Sequence, residues 1–377
     1  MAFLEPRHHE LAGRVRAFAD GALAPLEFEE ERVDELARRL LAMLGEAKIT
    51  AYAVAAAYGG ALEKLDARSI CVIRETLAYR MGLADFMFAM QGLGSFPIYL
   101  AGSEAQKREW LPRVARGEAV AAFALTEPEA GSDAGALSCR ARRVGQEWVI
   151  DGRKRFISNA TIFDVMTLFA RTGEGSRGVS AFVVPRGTPG VRVEVQQTIC
   201  PHPLGEVIFE EARLPADALL GEEGMGFRLA LATLDVFRAT VGAAAPGMAQ
   251  RAQDEAIRHV KSRQQFGGPL ADLQGVQFML ADNEAELQAA RLLVHRAAWL
   301  KDSGAERITQ EAALAKMVAT ENAQRVIDRA LQLHGGLGVI KGTPVERLYR
   351  EIRALRIYEG ATEVQKAVIA RGLLAAR

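Results

Sequence analysis

The 377-residue chain carries equal numbers of basic and acidic side chains, 47 of each, and this balance argues against nucleic-acid binding, which requires a basic face. Its three cysteines, Cys71, Cys139 and Cys200, form no CxxC or CxxH pair, a usage that argues against a disulfide framework or a metal site and fits a reducing cytoplasm. The N-terminus lacks the apolar core of a signal peptide, and no run approaches the roughly 20 apolar residues that span a bilayer, so no membrane association is expected.

The first third of the chain has the periodicity of helices. Steps of four and three lay one apolar stripe along a first helix at Leu11, Val15, Phe18 and Ala22. Similar patterns return over residues 36–44, 70–79 and 106–114. Glycines at 59–60 and 92–94 are expected to be turns between helices. We therefore predict an N-terminal helical domain over residues 1–118.

The pattern changes at Gly117 to short apolar runs typical of strands. These runs cover residues 119–126, 148–150, 165–170 and 181–184. Val191, Val193 and Val195 alternate with polar residues, which puts the three valines on one face of a half-buried strand. Glycine, proline and aspartate separate the runs, so residues 119–222 are predicted to form a middle β-barrel or sandwich domain.

Helical periodicity returns beyond Gly226 and continues toward the C-terminus. Between residues 309 and 331, one predicted helix face consists of Ala313, Met317, Thr320, Ile327 and Ala330. Three charged residues of this stretch are expected to lie away from that face: Glu311, Lys316 and Glu321. Glycines at 335–338 then end the helix. Residues 223–377 are the third predicted domain, and the fold class is α+β.

One carboxylate near the C-terminus has the surroundings of a catalytic base. Glu359 lies between Tyr358 and Gly360, close to apolar residues that offer it little water. Poor solvation raises the pKa of a carboxylate, which suits a base that removes a weakly acidic proton. The alternative is a helix-terminal glutamate followed by a capping glycine.

A second stretch, residues 123–133, ends a strand in a hydroxyl at Thr126 and continues into a loop rich in proline, glycine and serine. Backbone N–H groups and the Ser132 hydroxyl of such a loop can cradle a phosphate oxygen. The same stretch could equally be a strand-to-turn connection closed by hydrogen bonds from serine and Asp133.

A third stretch contains Phe156 and Ser158, which regular strand alternation would place on one face. The other interpretation is a core aromatic residue beside a surface serine.

Taken together, these stretches and their order resemble the acyl-CoA dehydrogenase family of flavoenzymes, from about Leu4 to Arg371. The resemblance implies an acyl-CoA dehydrogenase-like fold whose C-terminal domain is a four-helix bundle, an FAD cofactor and a homotetramer. It also makes Glu359 the catalytic base. A subset of the family has its base directly before the arginine that matches Arg238, where this chain has Phe237.

The resemblance assigns roles to residues at matching positions. Those implied to bind FAD are Phe123, Leu125, Thr126, Gly131, Ser132, Phe156, Ser158, Arg263, Phe266, Gln274, Gln332, Gly335, Gly336, Thr362 and Glu363. Those implied to bind the acyl-CoA substrate are Ser132, Asp235, Arg238, Gly360 and Arg371. The chain departs from the family pattern at Glu129, at Phe156, where tryptophan is usual, and at Ala361, where threonine is usual. Taken singly, Arg263 is typical of a solvated residue and His334 of a helix cap.

Two other patterns suggest chemistry that the chain does not support. Gly221, Gly224 and Gly226 lack the GxGxxG spacing and the βαβ context of a nicotinamide site. Cys200 and His202 stand in a loop with two prolines, which predicts a rigid turn, and no partner for a nucleophilic pair is evident.

The implied reaction is α,β-dehydrogenation of an acyl-CoA to the trans-2-enoyl-CoA, with electron-transfer flavoprotein as the electron acceptor. Two enzymatic alternatives remain: a flavin oxidase or monooxygenase of the same superfamily, and a dehydrogenase of a carrier-protein-bound acyl thioester. A non-catalytic protein of this fold is disfavoured because the base and the flavin contacts are largely intact.

Overall fold

The computed structural model describes residues 3–26 and 28–375. The α-helices are α1 (Pro6–Phe18), α2 (Val33–Glu46), α3 (Ala67–Arg80), α4 (Gly82–Ala101), α5 (Glu104–Ala115), α6 (Gly226–Ser262), α7 (Gln274–Asp302), α8 (Thr309–His334), α9 (Pro344–Leu355) and α10 (Thr362–Ala375). The strands are β1 (Ala121–Ala124), β2 (Arg140–Val144), β3 (Glu147–Ser158), β4 (Val165–Arg171), β5 (Val179–Pro185), β6 (Val191–Val195), β7 (Leu204–Pro215), β8 (Gln264–Gln265) and β9 (Gly268–Pro269).

The chain divides into two compact units. The first unit consists of Met1–Leu26, Ala67–Asp85 and Arg238–Arg377, and the second consists of Glu27–Asp66 and Phe86–Phe237. Apart from the two-residue strands β8 and β9, helices lie at both ends of the sequence and strands between them, in the order that the sequence predicts. The α+β prediction is confirmed.

The second unit is organised around a seven-stranded sheet. Its strand order is β1-β4-β2-β3-β7-β6, with β5 also paired to β4. The pairing of β1 with β4 is parallel, whereas β3 and β7 run antiparallel from Glu147 opposite Pro215 to Ser158 opposite Leu204. That ladder shifts register between Lys154 and Ile157. The five predicted runs match β1, β3, β4, β5 and β6.

Strands β2 and β7 have no counterpart among the predicted runs. In β2 only Ala141 is buried, and its neighbours are mainly arginines. In β7 the regular alternation is broken at Glu211, which has a positive φ of 47°. Exposed charges and a local irregularity hide the period of two on which a strand prediction depends.

The predicted turn at residues 92–94 is wrong, because these residues lie inside α4. A Cβ atom on Gly92 would lie 2.4 Å from Phe237 Cε1, and one on Gly94 would lie 2.7 Å from the Ala122 backbone nitrogen. Both positions therefore require glycine for close packing within the second unit, rather than for a turn.

The first unit is a helical assembly with an alanine-rich core contributed mainly by α3, α6, α7, α8 and α9. The stripe predicted on α1 is confirmed only in part: Leu11 and Val15 are buried, but Phe18 and Ala22 are only half-buried. Ala19 and Leu23 are buried in their place. A π-helical turn follows over Ala19–Leu23. Its wider turn places Leu23 rather than Ala22 on the buried side.

Helix α8 packs against α7, α9 and α10. Ala313, Thr320, Ile327 and Ala330 are buried as predicted, and Met317 is half-buried. The prediction for Lys316 is wrong, since its side chain is 0% exposed. A helix with neighbours on several sides buries more than one stripe. Among the described helices, α6 alone is long and apolar enough to cross a membrane, but 72% of its apolar window is buried in the fold.

Candidate functional site

Glu359 lies in a bend between α9 and α10. Helix α9 ends at Leu355 with Arg356 as its C-cap, so Glu359 is not the terminal residue of a helix. Its φ is +51°, in the left-handed region that non-glycine residues rarely occupy, and Gly360 follows with φ of +97°. A Cβ atom on Gly360 would lie 2.2 Å from Gln365 Nε2. The bend therefore requires glycine at 360, and it holds Glu359 in a strained conformation.

The Glu359 carboxylate is poorly solvated. The residue as a whole is partly exposed, but Oε2 is out of contact with solvent and has no hydrogen-bond partner among the described residues. Burial raises the pKa of Glu359, and the positive charges of Arg74, Lys316 and Arg238 oppose that rise without cancelling it. A desolvated carboxylate with a raised pKa is the arrangement that proton abstraction requires.

Two side chains hold the bend through one carbonyl group. Gly360 O accepts hydrogen bonds from Lys316 Nζ and Gln365 Nε2, both at 2.8 Å. Gln365 Nε2 also approaches Glu359 O at 3.4 Å. Burial lowers the pKa of Lys316 to about 8, although the nearby Glu359 carboxylate opposes this shift. The sequence did not indicate this role for Lys316, because a lysine on a helix is usually solvated.

Arg74 of α3 supplies a further buried charge in the first unit. Its guanidinium group donates to both Asp85 carboxylate oxygens, at 2.9 and 3.1 Å, and to Thr240 Oγ1 at 3.0 Å. Burial raises the pKa of Asp85, and Arg74 opposes this rise. The pair fixes the guanidinium orientation, and its field acts on Glu359. The sequence prediction missed both residues.

In the second unit, the loop after β1 is held by a buried ion pair. Lys154 Nζ lies 2.7 Å from Glu127 Oε1, and the same carboxylate accepts hydrogen bonds from the backbone N–H groups of Ser138 and Cys139. The Arg155 N–H donates to Thr126 O at 2.8 Å, which joins this loop to β3. The predicted phosphate-binding residues Gly131 and Ser132 are exposed.

Phe156 occupies an irregular part of β3. Its φ is +57°, it is 58% exposed, and its N–H donates to Gln196 Oε1 at 3.0 Å. It lies where the register to β7 shifts, so regular alternation does not place Phe156 and Ser158 on one face. The exposed ring also rules out the core-aromatic interpretation.

The residues implied to bind FAD fit such a ligand within each unit. Phe156 in the second unit and Phe266 in the first, which is 89% exposed, offer aromatic surface for stacking. A Cβ atom added to Gly131, Gly335 or Gly336 would meet nothing within 4 Å. Open glycine backbone allows close approach of a phosphate.

The other predicted residues have diverse environments. Arg263, Gln274, Gln332, Glu363 and Arg371 are exposed, Phe123 and Leu125 are buried, and Asp235 is partly buried. Arg238 is 9% exposed. The Thr362 hydroxyl donates to Glu321 Oε1 at 2.6 Å.

In the loop that contains Pro201 and Pro203, His202 Nδ1 lies 2.6 Å from Cys200 O, and burial lowers the pKa of His202. This local contact within the loop agrees with the predicted rigid turn.

Three family models match consecutive parts of the chain. They describe the N-terminal, middle and C-terminal domains of acyl-CoA dehydrogenases and match residues 5–118, 122–212 and 224–374. Two curated relatives are similar over nearly the full length. One is the acryloyl-CoA reductase (NADH) of Anaerotignum propionicum, 40% identical over 99% of this chain and 96% of that protein. The other is the 3-(aryl)acrylate reductase of Clostridium sporogenes, 38% identical over 99% and 100%.

Solved structures have the same fold. Butyryl-CoA dehydrogenase from Megasphaera elsdenii aligns with a TM-score of 0.91 at 34% identity, covering 98% of this chain and 99% of that chain. A glutaryl-CoA dehydrogenase from Mycobacterium smegmatis in complex with FADH2 aligns at 0.89 and 29%, covering 99% and 96%. A chain in a structure of the electron transferring flavoprotein of Acidaminococcus fermentans aligns at 0.92 and 36%, covering 98% of each.

These matches confirm the predicted family, its fold and its FAD cofactor. All three domain models of one family follow in order along the chain, and relatives of at least 38% identity extend over 99% of it. The chain therefore belongs to the acyl-CoA dehydrogenase family of flavoprotein oxidoreductases.

Proposed function

We propose that the protein dehydrogenates an acyl-CoA thioester between its α and β carbons, leaving the trans-2-enoyl-CoA, and that Glu359 removes the α proton. The observation that carries this proposal is the desolvated Glu359 carboxylate in its strained bend. Its raised pKa improves the match to a weakly acidic C–H group. FAD, when bound, supplies the acceptor for the hydride from the β carbon.

Removal of the α proton places negative charge on the thioester oxygen, and a preorganised N–H group can stabilise it. The Glu359 backbone N–H is a candidate, because it has no acceptor in the described part of the chain. One such donor contributes about 3–4 kcal/mol to transition-state stabilisation in other enzymes. The base and the donor would thus belong to one residue, oriented by one bend.

The assignment of the remaining residues follows the family resemblance and the observed exposure. We assign the flavin ring and its phosphates to residues of the second unit: Phe123, Leu125, Thr126, Gly131, Ser132, Phe156 and Ser158. We assign the adenosine diphosphate half of FAD to residues of the first unit: Arg263, Phe266, Gln274, Gln332, Gly335 and Gly336. Thr362 and Glu363 are also assigned to FAD, at the end of the segment that binds the cofactor. Acyl-CoA contacts are assigned to Ser132, Asp235, Arg238, Gly360 and Arg371.

Four further features belong to the same proposal. The chain forms three domains, over residues 1–118, 119–222 and 223–377, the protein is a homotetramer, and it functions in the cytoplasm. Electron-transfer flavoprotein is the proposed electron acceptor; the similarity to a chain in a structure of such a flavoprotein supports this choice. Size-exclusion chromatography with light scattering tests the tetramer, and reduction of added flavoprotein tests the acceptor.

The first test is an anaerobic titration of the purified FAD-containing protein with straight, branched and cyclic acyl-CoAs. Loss of the oxidised flavin's visible absorbance with one class would support dehydrogenation and identify the acyl group. If no acyl-CoA bleached a flavin that dithionite can reduce, the proposal would fail. Carrier-protein thioesters and oxygen consumption during turnover would then test the two enzymatic alternatives.

A second candidate function is the reverse reaction, reduction of a 2-enoyl thioester. It is favoured by the names of the two curated relatives, a 3-(aryl)acrylate reductase and an acryloyl-CoA reductase. Protonated Glu359 would return the α proton, and its raised pKa also suits an acid. Protein reduced with dithionite would be mixed anaerobically with acryloyl-CoA, crotonyl-CoA and cinnamoyl-CoA. Flavin reoxidation faster than acyl-CoA-driven bleaching would favour the reductase.

A further inference from the structure

Lys316 has an unusual position for a lysine. It lies on α8, its side chain is fully buried, and its Nζ donates to Gly360 O at 2.8 Å. No carboxylate lies within 4 Å of its Nζ in the described residues. Burial removes an ammonium group from water and is unfavourable unless hydrogen bonds or an ion pair compensate for the lost hydration. The position therefore indicates a role in the bend at Gly360.

The bend itself needs such a contact. Glu359 and Gly360 both have positive φ values, 51° and 97°, and a non-glycine residue in this region persists only when its surroundings hold it. Gly360 O is the point at which Lys316 and Gln365 converge. Without the lysine, Gln365 alone would restrain the carbonyl group that follows the proposed base.

Lys316 also belongs to the set of charges that act on Glu359. Cations come from three helices: Arg74 of α3, Arg238 of α6 and Lys316 of α8. Asp85 of α4 acts in the opposite direction. Around Lys316, further charges come from Glu321 and Arg356, which pair with each other at 2.9 Å. Among these groups, Lys316 donates a hydrogen bond to the Gly360 carbonyl of the bend.

We infer that Lys316 is a positioning residue for Glu359: its ammonium group fixes the Gly360 carbonyl, orients the base, and favours the ionised carboxylate through its charge. This inference rests on the proposed function of Glu359. Lys316 would contribute in two ways, by the geometry of its hydrogen bond and by its charge, and different substitutions remove the two contributions. Geometry sets the maximal rate of proton abstraction, because small displacements of a reacting group slow a reaction strongly. Charge sets the pH at which the base becomes ionised.

The test measures flavin reduction by acyl-CoA in single turnovers across a range of pH. The variants are Lys316→Met, which removes donor and charge, Lys316→Gln, which retains an N–H donor, and Lys316→Arg, which retains the charge. Lys366→Met, an exposed lysine of α10, is the matched control. FAD content and thermal melting establish that each variant is folded and loaded.

Lys316→Met should lower the maximal rate about 10- to 100-fold and move the acid limb of the pH profile upward by about one pH unit. Lys316→Gln should show the same limb shift with a smaller loss of rate. Lys316→Arg should leave the limb in place, and Lys366→Met should change neither quantity. If Lys316→Met fails to fold, the Gln and Arg variants still separate charge from geometry.

The inference is overturned if folded Lys316→Met retains either the wild-type acid limb of the pH profile or the wild-type maximal rate. If Lys316→Met does not fold, a wild-type acid limb in folded Lys316→Gln overturns the inference instead. A separate variant, Glu359→Gln, tests the proposed function on its own. If Glu359→Gln still reduces the flavin, the base assignment fails. If Glu359→Gln is inactive while the Lys316 variants behave as wild type, only the inference about Lys316 fails.

Discussion

Lys154 and Glu127 form an ion pair inside the second unit, with Nζ 2.7 Å from Oε1 and side-chain exposures of 0% and 3%. Lys154 lies on β3 and Glu127 in the loop after β1, so the pair joins a strand to the loop that contains the proposed phosphate-binding residues. Lys154 Nζ also donates to Leu125 O at 3.0 Å. The loop is therefore held from its buried side, while Ser132 stays exposed.

Breaking this pair should destabilise the protein and weaken FAD binding. Lys154→Met leaves the Glu127 carboxylate buried without its cation, and removal of one partner from a buried pair typically costs about 3–5 kcal/mol. Urea unfolding and the FAD dissociation constant measure the two effects. The exposed pair of Arg213 and Glu147, on β7 and β3, provides the control: Glu147→Gln should change stability by less than about 1 kcal/mol. Equal effects of both substitutions would contradict this account.

Gly360→Ala should damage the bend that contains Glu359. The new Cβ atom would meet Gln365 Nε2 at 2.2 Å, in a backbone with φ of +97°. We expect a loss of about 1–3 kcal/mol in unfolding free energy together with slower flavin reduction. Gly13→Ala in α1, where a Cβ atom would meet nothing within 4 Å, should instead stabilise the helix by about 0.5–1 kcal/mol. A neutral Gly360→Ala variant would show that the bend is adaptable.

Glu359→Gln should stabilise the folded protein in a pH-dependent way. Because burial raises the pKa of Glu359 in the folded state, its favourable contribution is complete at low pH and is lost as pH rises through that folded pKa. The melting temperature of Glu359→Gln minus that of wild type should therefore increase with pH above about 4.5, the ordinary glutamate value. Asp328→Asn, at an exposed position of α8, should show no such trend. A difference that stays flat with pH would argue against a desolvated carboxylate.

The sequence predicted the larger features because they depend on repeated signals. Helix α8 and strands β4 and β5 are periodic or continuous over many residues, and Glu359 follows from one distinctive motif. The errors come from features that only packing decides. In the sequence Gly92 resembles a turn residue, and only the structure shows that it is a glycine because Phe237 packs closely against it. A lysine on a helix is expected to be solvated, and only the structure shows that Lys316 Nζ donates to Gly360 O. Similarly, the sequence Arg155-Phe156-Ile157 contains no residue that indicates the register shift in β3, and this shift leaves Phe156 exposed.

The most direct test of the account compares anaerobic flavin reduction in wild type, Glu359→Gln and Asp328→Asn, with an acyl-CoA that bleaches the wild type. Each protein must first contain FAD that dithionite reduces. We predict that Asp328→Asn reduces its flavin at the wild-type rate. For Glu359→Gln we predict substrate binding, visible as a perturbed flavin spectrum, without reduction. Near-normal reduction in Glu359→Gln would contradict the assignment of Glu359 as the base.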